Sequence, residues 1–386
     1  MTEETPHRRP VVLQVLPALQ GGGVERGTVE IAAAIAAAGG TALVGSAGGR
    51  MAAEVERAGG RNIILPLASR SPLAIWRNAA RLAAVIQAER VDIVHARSRA
   101  PAWSAWLAAR RTGTHFVTTY HAPYGERPRI KRAYNAVMAR GEVVIAISHY
   151  VAGLVAARHG VDPARIRVIP RGVDPALFDP AAIAAHRRAA LAAAWGIDGG
   201  RPVVMLPGRL TRWKGQEQAI AALDRMHHRE AVLVLAGDQG RCRYAEELVA
   251  LAARLGIGDR VRIVGHANDM PAALSLAAIV VSASTEPEGF GRVVIEAQAM
   301  ARPVIATRHG GAAETITHEK TGWLVPPGDV AALAAALDAV LDLPPEARAG
   351  IGEAARASVM AHYTVAAMQQ ATLAVYRDLL AADGGR

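Results

Sequence analysis

The strongest constraint on this chain is a repeated switch between two hydrophobic periods. Short runs rich in Val, Ile and Leu alternate almost throughout with Ala-rich stretches of helical periodicity. Strand-like runs fall at Val11–Leu16, Thr41–Gly45, Asn62–Leu65, Ile93–His95, Phe116–Tyr120, Val143–Ile147 and Arg167–Ile169. A second set falls at Val203–Leu206, Val232–Ala236, Val261–Val264, Ile279–Ser282, Pro303–Ala306 and Gly322–Val325. Turn residues follow each run, and then an amphipathic stretch such as Glu25–Ala38 or Arg77–Glu89. Such alternation predicts an α/β fold whose parallel sheets are joined by right-handed helical crossovers.

The alternation breaks once. Between Asp174 and Arg201 lie Pro175, Asp179, Pro180, an Ala/Arg-rich helical stretch, and then Gly196, Ile197, Asp198, Gly199 and Gly200. A length of 386 residues is long for one α/β domain and comfortable for two. The expected division is 1–178 for a first domain, 179–362 for a second, and 363–386 for a C-terminal helix that packs back on the first. Each half opens with a strand feeding a glycine turn: Val11–Leu16 before Gly21, Gly22 and Gly23, and Val203–Leu206 before Pro207, Gly208 and Arg209. Two such halves facing one another make a central cleft, and α/β sheets bind ligands beyond the carboxyl ends of their strands.

Composition narrows the class. The 51% apolar content is mostly Ala, Val and Leu, with aromatics at 4%, which suits packed α/β layers and not disorder or a coiled coil. Cys242 is the single cysteine, so an internal disulfide and a multi-cysteine metal site are excluded and a reducing, cytoplasmic setting is expected. The run Val11–Leu19 is short and interrupted by Gln14 and Pro17, as in a first strand rather than a signal peptide. No apolar run reaches the roughly 18 residues that a membrane span needs. The formal charge of +10 is uneven, because residues 1–180 carry 23 Lys/Arg against 13 Asp/Glu while residues 181–386 carry 21 against 21. An anionic partner for the first domain is one reading, and a solvated Arg-rich surface is the other.

Common nucleotide motifs fail. Arg26 stands where a Gly-x-Gly-x-x-Gly opening at Gly21 needs its last glycine, and Val294 does so for Gly289 and Gly291. Lys214 is followed by Gly215, so no P-loop exists. No Asp-x-Asp occurs, so a carboxylate-held metal on donor phosphates has no address.

Two clusters carry chemistry. The first is Glu286-Pro287-Glu288-Gly289-Phe290-Gly291-Arg292-Val293-Val294-Ile295-Glu296, directly after Ile279–Ser282. A strand turning through glycines into a helix leaves free amides at the helix start, which form an anion site. Glu288 falls in the turn, and Glu296 about two turns into the helix. Carboxylates beside an anion site suit neutral hydroxyls, as a sugar and a ribose flanking a diphosphate would supply; a capped helix with a solvated Glu is the plainer alternative. The second cluster is Gly208-Arg209-Leu210-Thr211-Arg212-Trp213-Lys214-Gly215. It sets a planar cation and a point cation in one loop, the pairing that a diphosphate wants, although a surface loop has the same composition.

These clusters, together with Gly310-Gly311-x-x-Glu314 and Thr321-Gly322-x-Leu324-Val325-Pro326-Pro327-Gly328-Asp329, resemble the family 4 retaining glycosyltransferases of GT-B fold. The first half agrees through Gly21-Gly22-Gly23-Val24-Glu25-Arg26, Tyr120-His121 and Ile169-Pro170-Arg171-Gly172-Val173-Asp174. The resemblance runs from about residue 10 to 380 and implies two Rossmann-like domains facing a central cleft. It implies that Arg209 and Lys214 hold the donor diphosphate, Glu296 the ribose, and Glu288 the sugar hydroxyls or reacting face. Gly291, Arg292 and Val293 would offer amides to phosphate. Gly22 and Gly23 would let backbone approach phosphate or acceptor, and His121 would reach the transferred sugar. Arg171 is a departure, since members often carry Asn there. Arg97 and Arg99 lie outside the shared pattern and, with the basic segment Arg127, Arg129, Lys131 and Arg132, are candidates for acceptor or membrane contact.

The implied reaction moves a hexose-type sugar from a nucleotide diphosphate sugar, with retained configuration and no metal or other cofactor, to an envelope glycan or glycolipid acceptor such as lipopolysaccharide core. Peripheral contact with an anionic inner-membrane surface is expected. The rivals are a nucleotide-sugar epimerase on the same fold and a nucleic-acid binder using the basic first half. The second lacks any recognisable nucleic-acid module and the aromatics for base stacking, so no nucleic-acid partner is expected.

Overall fold

The computed structural model describes residues 9–125, 128–197, 200–238 and 243–384. The chain forms two compact units: residues 1–171 with 365–386, and residues 172–364.

In the first unit, β1 (Val11–Val15), α1 (Gly23–Ala37), β2 (Thr41–Ser46), α2 (Ala52–Arg57) and β3 (Arg61–Ile64) are followed by α3 (Pro72–Glu89), β4 (Ile93–Ala96), α4 (Arg99–Thr112) and β5 (His115–Tyr120). Then come α5 (Arg129–Asn135), β6 (Val143–Ala146), α6 (His149–His159) and β7 (Ile166–Val168). The seven strands make one sheet in the order β3-β2-β1-β4-β5-β6-β7, and each named pairing is parallel. The strand order reverses between β1 and β4.

The second unit repeats the plan with six strands. Its elements are α7 (Ala185–Ala194), β8 (Val203–Pro207), α8 (Gln216–Arg225), β9 (Val232–Ala236), α9 (Arg243–Arg254), β10 (Val261–Gly265) and α10 (Met270–Leu276). They continue through β11 (Ile279–Ser282), α11 (Arg292–Ala299), β12 (Val304–Thr307), β13 (Trp323–Val325), α12 (Val330–Asp342) and α13 (Pro345–His362). The sheet order is β10-β9-β8-β11-β12-β13, so the reversal here lies between β8 and β11. These are two Rossmann-like α/β domains, as the sequence leads one to expect.

Both faces of each sheet are covered, which is why the strands read as unbroken apolar runs rather than alternating ones. In the second unit Val204, Leu206, Leu233, Leu235, Ile279 and Val281 pack with Ile220, Leu223, Leu248, Leu333 and Leu337 from the helices. Each such side chain contributes about 1.5–3 kcal/mol relative to exposure. Asp329 caps α12 by accepting from the Ala332 amide at 2.9 Å, which gives the motif ending in Gly328 and Asp329 a structural job.

The last helix, α14 (Val365–Gly384), belongs to the first unit. Met368, Val375 and Tyr376 join the cluster of Val12, Val44, Ile93, Val117 and Ile145. Gln369 Nε2 also donates to the Glu30 carbonyl of α1 at 2.7 Å. Among the described residues no helix is long and apolar enough to cross a membrane.

Candidate active site

The loops after β8 and β11 flank the reversal of the second sheet, where an open α/β sheet presents a crevice. Both sequence clusters sit there. Gly215 makes the approach possible: its φ is +78°, and a Cβ would lie 1.9 Å from the Ala283 carbonyl oxygen just past β11. The Thr285 amide donates to the Trp213 carbonyl at 2.8 Å, closing the contact.

Lys214 is thereby delivered onto Glu288, with Nζ donating to Oε2 at 2.8 Å. Both side chains are largely buried, at 18% and 11% exposure. Ser284 and Ser282 hydroxyls donate to the other oxygen of Glu288. Burial alone would push this carboxyl up, but the Lys214 charge and the hydrogen bonds from Lys214, Ser284 and Ser282 outweigh it and hold the pKa below the usual carboxylate value. Glu288 is therefore an anion at neutral pH. Ser284 is fixed in turn, because its carbonyl accepts from Thr307 Oγ1 at 2.9 Å and lies 2.8 Å from His309 Nε2.

Behind Glu288 stands the Gly310-Gly311 turn. A Cβ on Gly310 would lie 2.5 Å from the Glu288 carbonyl oxygen, and one on Gly311 would lie 2.3 Å from that of Gly289. The Gly311 amide donates to the Glu288 carbonyl at 2.9 Å. The paired glycines thus let the turn after β12 brace the turn after β11.

Gly291 begins α11 at φ +85°. Arg292 and Val293 are its first two residues, so their amides lie at the amino end of the helix. Glu296 is the fifth residue, one turn in rather than two, because the helix starts at Arg292 and not at the earlier glycines. Arg292 Nε donates to Glu296 Oε1 at 3.3 Å. Glu288 and Glu296 therefore each have a cation beside them. Arg209 is exposed, and its backbone carbonyl accepts from Gln216 Nε2 at 3.0 Å. Arg212 points elsewhere, to Glu217 and Glu247.

The first unit carries its candidate residues just past the carboxyl ends of β1 and β5. Gly21 and Gly22 lie in the exposed stretch between β1 and α1, with Gly22 at φ +141°, and Gly23 is the exposed first residue of α1. His121 directly follows β5. Its Nδ1 lies 2.6 Å from Arg171 Nη2. A guanidinium only donates, so Nδ1 must accept and the ring proton belongs on Nε2. That Nε2 is buried with no hydrogen-bond partner among the described residues. Burial first, then the charges of Arg171 and Arg97, lower the His121 pKa well below the ordinary value and keep the ring neutral. Arg171 departs from the family pattern, and its contact with His121 spans 50 residues, so the sequence carries no local sign of it. Gly27 in α1 makes room for it, since a Cβ would meet Arg171 Nη1 at 2.6 Å.

Arg97 does not join the exposed basic segment. It is 2% exposed, and its guanidinium donates to Gln14 Oε1, with Nε at 2.9 Å. Contact with a membrane surface is closed to a side chain so placed. Arg99 lies over the Tyr124 ring at 4.3 Å and donates to Asn135 Oδ1 at 2.9 Å. Arg129, Lys131 and Arg132 are exposed on α5, and Arg127 lies outside the described residues.

Comparison with known proteins agrees with the fold. Residues 188–358 match the family Glycosyl transferases group 1, and residues 21–177 match Glycosyltransferase Family 4. A D-inositol 3-phosphate glycosyltransferase of Xylanimonas cellulosilytica is 32% identical over 271 residues, 65% of this chain and 63% of that protein. The protein of that name from Acidothermus cellulolyticus is 32% identical over 337 residues, 78% of this chain and 71% of its own length. A glycosyltransferase structure from Rickettsia africae superposes with a TM-score of 0.89 at 35% identity, covering 97% of this chain and 99% of that one. Anabaena HepE, solved with UDP-glucose, superposes with a TM-score of 0.84 at 25% identity over 95% and 99% of the two chains. The chain therefore belongs to the family 4 glycosyltransferases of GT-B fold.

Proposed function

We propose that this protein transfers a hexose from a nucleotide diphosphate sugar, with retained anomeric configuration, to a phosphate-bearing acceptor, either a cyclitol phosphate or an envelope glycan or glycolipid. The observation that carries the reading is the buried Lys214–Glu288 pair at the strand-order reversal, with Arg209 exposed in the same loop. A diphosphate arriving there takes over Lys214 as counter-ion. Ser282 and Ser284 keep hold of Glu288, whose freed oxygen then accepts from sugar hydroxyls. Arg209 and the first amides of α11 supply further donors to the diphosphate, and Glu296 accepts from the ribose. As the glycosidic bond breaks, charge builds on the leaving diphosphate, and Lys214 and Arg209 stabilise it most at that moment. The leaving phosphate oxygen takes the acceptor's proton, so no separate base is assigned. On the first unit, Gly22 and Gly23 admit phosphate or acceptor to the backbone, and the His121 Nε2–H donates to the transferred sugar.

HepE, with its bound UDP-glucose, supports the donor class. The relatives named for D-inositol 3-phosphate, and the +10 charge of residues 1–180, support an acceptor carrying phosphate, whether a cyclitol phosphate or a lipopolysaccharide core. Lys214→Ala should cut turnover about 10²-fold or more and also lower stability, because Glu288 loses its buried counter-ion. Turnover of the wild type should survive excess chelator, and proton NMR of the first product should show the donor's anomeric configuration. Near-normal turnover of Lys214→Ala, or an inverted linkage, refutes the mechanism.

A further inference from the structure

We propose that His227, His228 and Asp342 form a divalent-metal site on the second unit, suited to a borderline cation such as Zn²⁺. One ligand atom from each of the three lies within 4.8 Å of the others. His227 Nε2 is 3.2 Å and His228 Nε2 2.9 Å from the same oxygen, Asp342 Oδ1. Ligands of a tetrahedral zinc at about 2.0–2.1 Å stand roughly 3.3 Å from one another. Both nitrogens thus stand near that spacing from Asp342 Oδ1, and His227, at 61% exposure, has room to adjust toward His228.

The other ring nitrogens strengthen the case. His228 Nδ1 is 2.9 Å from Glu230 Oε1, and His227 Nδ1 is 3.2 Å from Asp338 Oδ2. A carboxylate on the far nitrogen fixes the tautomer of a metal-bound histidine and aims its lone pair. Asp338 also anchors the backbone, accepting from the amides of His227 at 3.0 Å and His228 at 3.3 Å. Buried Arg260 holds the same turn, donating to the carbonyls of His228 and Ala231.

The site is remote from the candidate chemistry. His227 and His228 precede the first residue of β9, and Asp342 ends α12, which begins just after the carboxyl end of β13. That is the edge of the sheet opposite the loops after β8 and β11. A metal there ties the end of α12 to the α8–β9 turn and acts on stability.

The test is calorimetric titration of untagged, chelator-stripped full-length protein with Zn²⁺, and visible absorption with Co²⁺. One equivalent should bind per chain, raise Tm, and give the d–d bands of a four-coordinate site. Asp342→Asn and His228→Ala should abolish it, and Asp338→Asn or Glu230→Gln should weaken it about 10- to 100-fold. Absence of binding, or one equivalent that Asp342→Asn and His228→Ala leave unchanged, overturns the proposal.

Discussion

Arg171 has only donors to offer, and that decides the state of His121. Its charge and its hydrogen bond both favour a neutral ring with the proton on Nε2. His95, one strand away on β4, is likewise depressed, by burial first and then by Arg97 and Arg171. It sits between Tyr376 at 2.6 Å and Thr119 at 2.7 Å. A histidine depressed in the folded state costs stability as pH falls: below about 6.5 the unfolded chain takes up a proton that the folded one refuses. The first unit should therefore lose stability progressively from about pH 6.5 downward, until the folded-state pKa values are reached. Arg171→Asn keeps a donor for Nδ1 but removes the charge. An NMR titration should show the His121 pKa rising, though only part of the way, because burial is the larger cause. The acid limb of kcat/KM should move up with it. An unmoved His121 pKa would mean that Arg171 contributes no charge effect, and an unmoved acid limb would take His121 out of the reaction.

At the scale of elements, glycine contacts nest the loops of the second unit. Gly215 meets Ala283 backbone, and Gly310 and Gly311 meet the Glu288–Gly289 turn. Positive φ by itself costs a Cβ-bearing residue about 1–2 kcal/mol. Gly113 isolates that cost, with φ +71° and nothing within 4 Å of a Cβ. Gly113→Ala should lose about 1–2 kcal/mol by denaturant melting. Gly215→Ala should lose clearly more and weaken nucleotide binding, since the rigid Ala283 carbonyl must move and carry Lys214 with it. Equal losses in the two variants would show that the loop contact is slack. The strands and the glycine turns were legible in the sequence because both leave local marks, β-branched runs and Gly-rich junctions. The Lys214–Glu288 pairing left no mark in the sequence, since it joins loops 74 residues apart. Nothing local could announce that Tyr376 reaches His95 across 281 residues, or that Gly27 is small to admit Arg171. The start of α11 was misjudged because Gly289 and Gly291 both look like helix openings, and only φ at Gly291 decides between them.

At the scale of the molecule, the excess charge is confined to residues 1–180, which carry 23 Lys/Arg against 13 Asp/Glu. Part of it is buried and structural, as in Arg97 and Arg171. Another part lies on one run of surface. On α5, Ile130 is 77% exposed between Arg129 and the exposed Lys131 and Arg132. From there Trp103 Nε1 donates to the Tyr134 carbonyl at 3.0 Å, and Arg140 lies over Trp103 and Trp106 at 5.3 and 4.1 Å. Arg110 continues the chain over Trp106, and Arg111 lies over Trp76, itself 58% exposed. Tryptophan and arginine in alternation suit the headgroup region, where an indole has one wet edge and each basic residue contributes about 1 kcal/mol on an anionic surface. The protein should therefore bind anionic liposomes at low salt and leave them as salt rises. Replacing Arg127, Arg129, Lys131 and Arg132 by Ser should abolish that binding, and the nucleotide affinity of the second unit should not change. If the wild type ignores anionic liposomes at low salt, the charge excess is compositional and the protein meets its acceptor in solution.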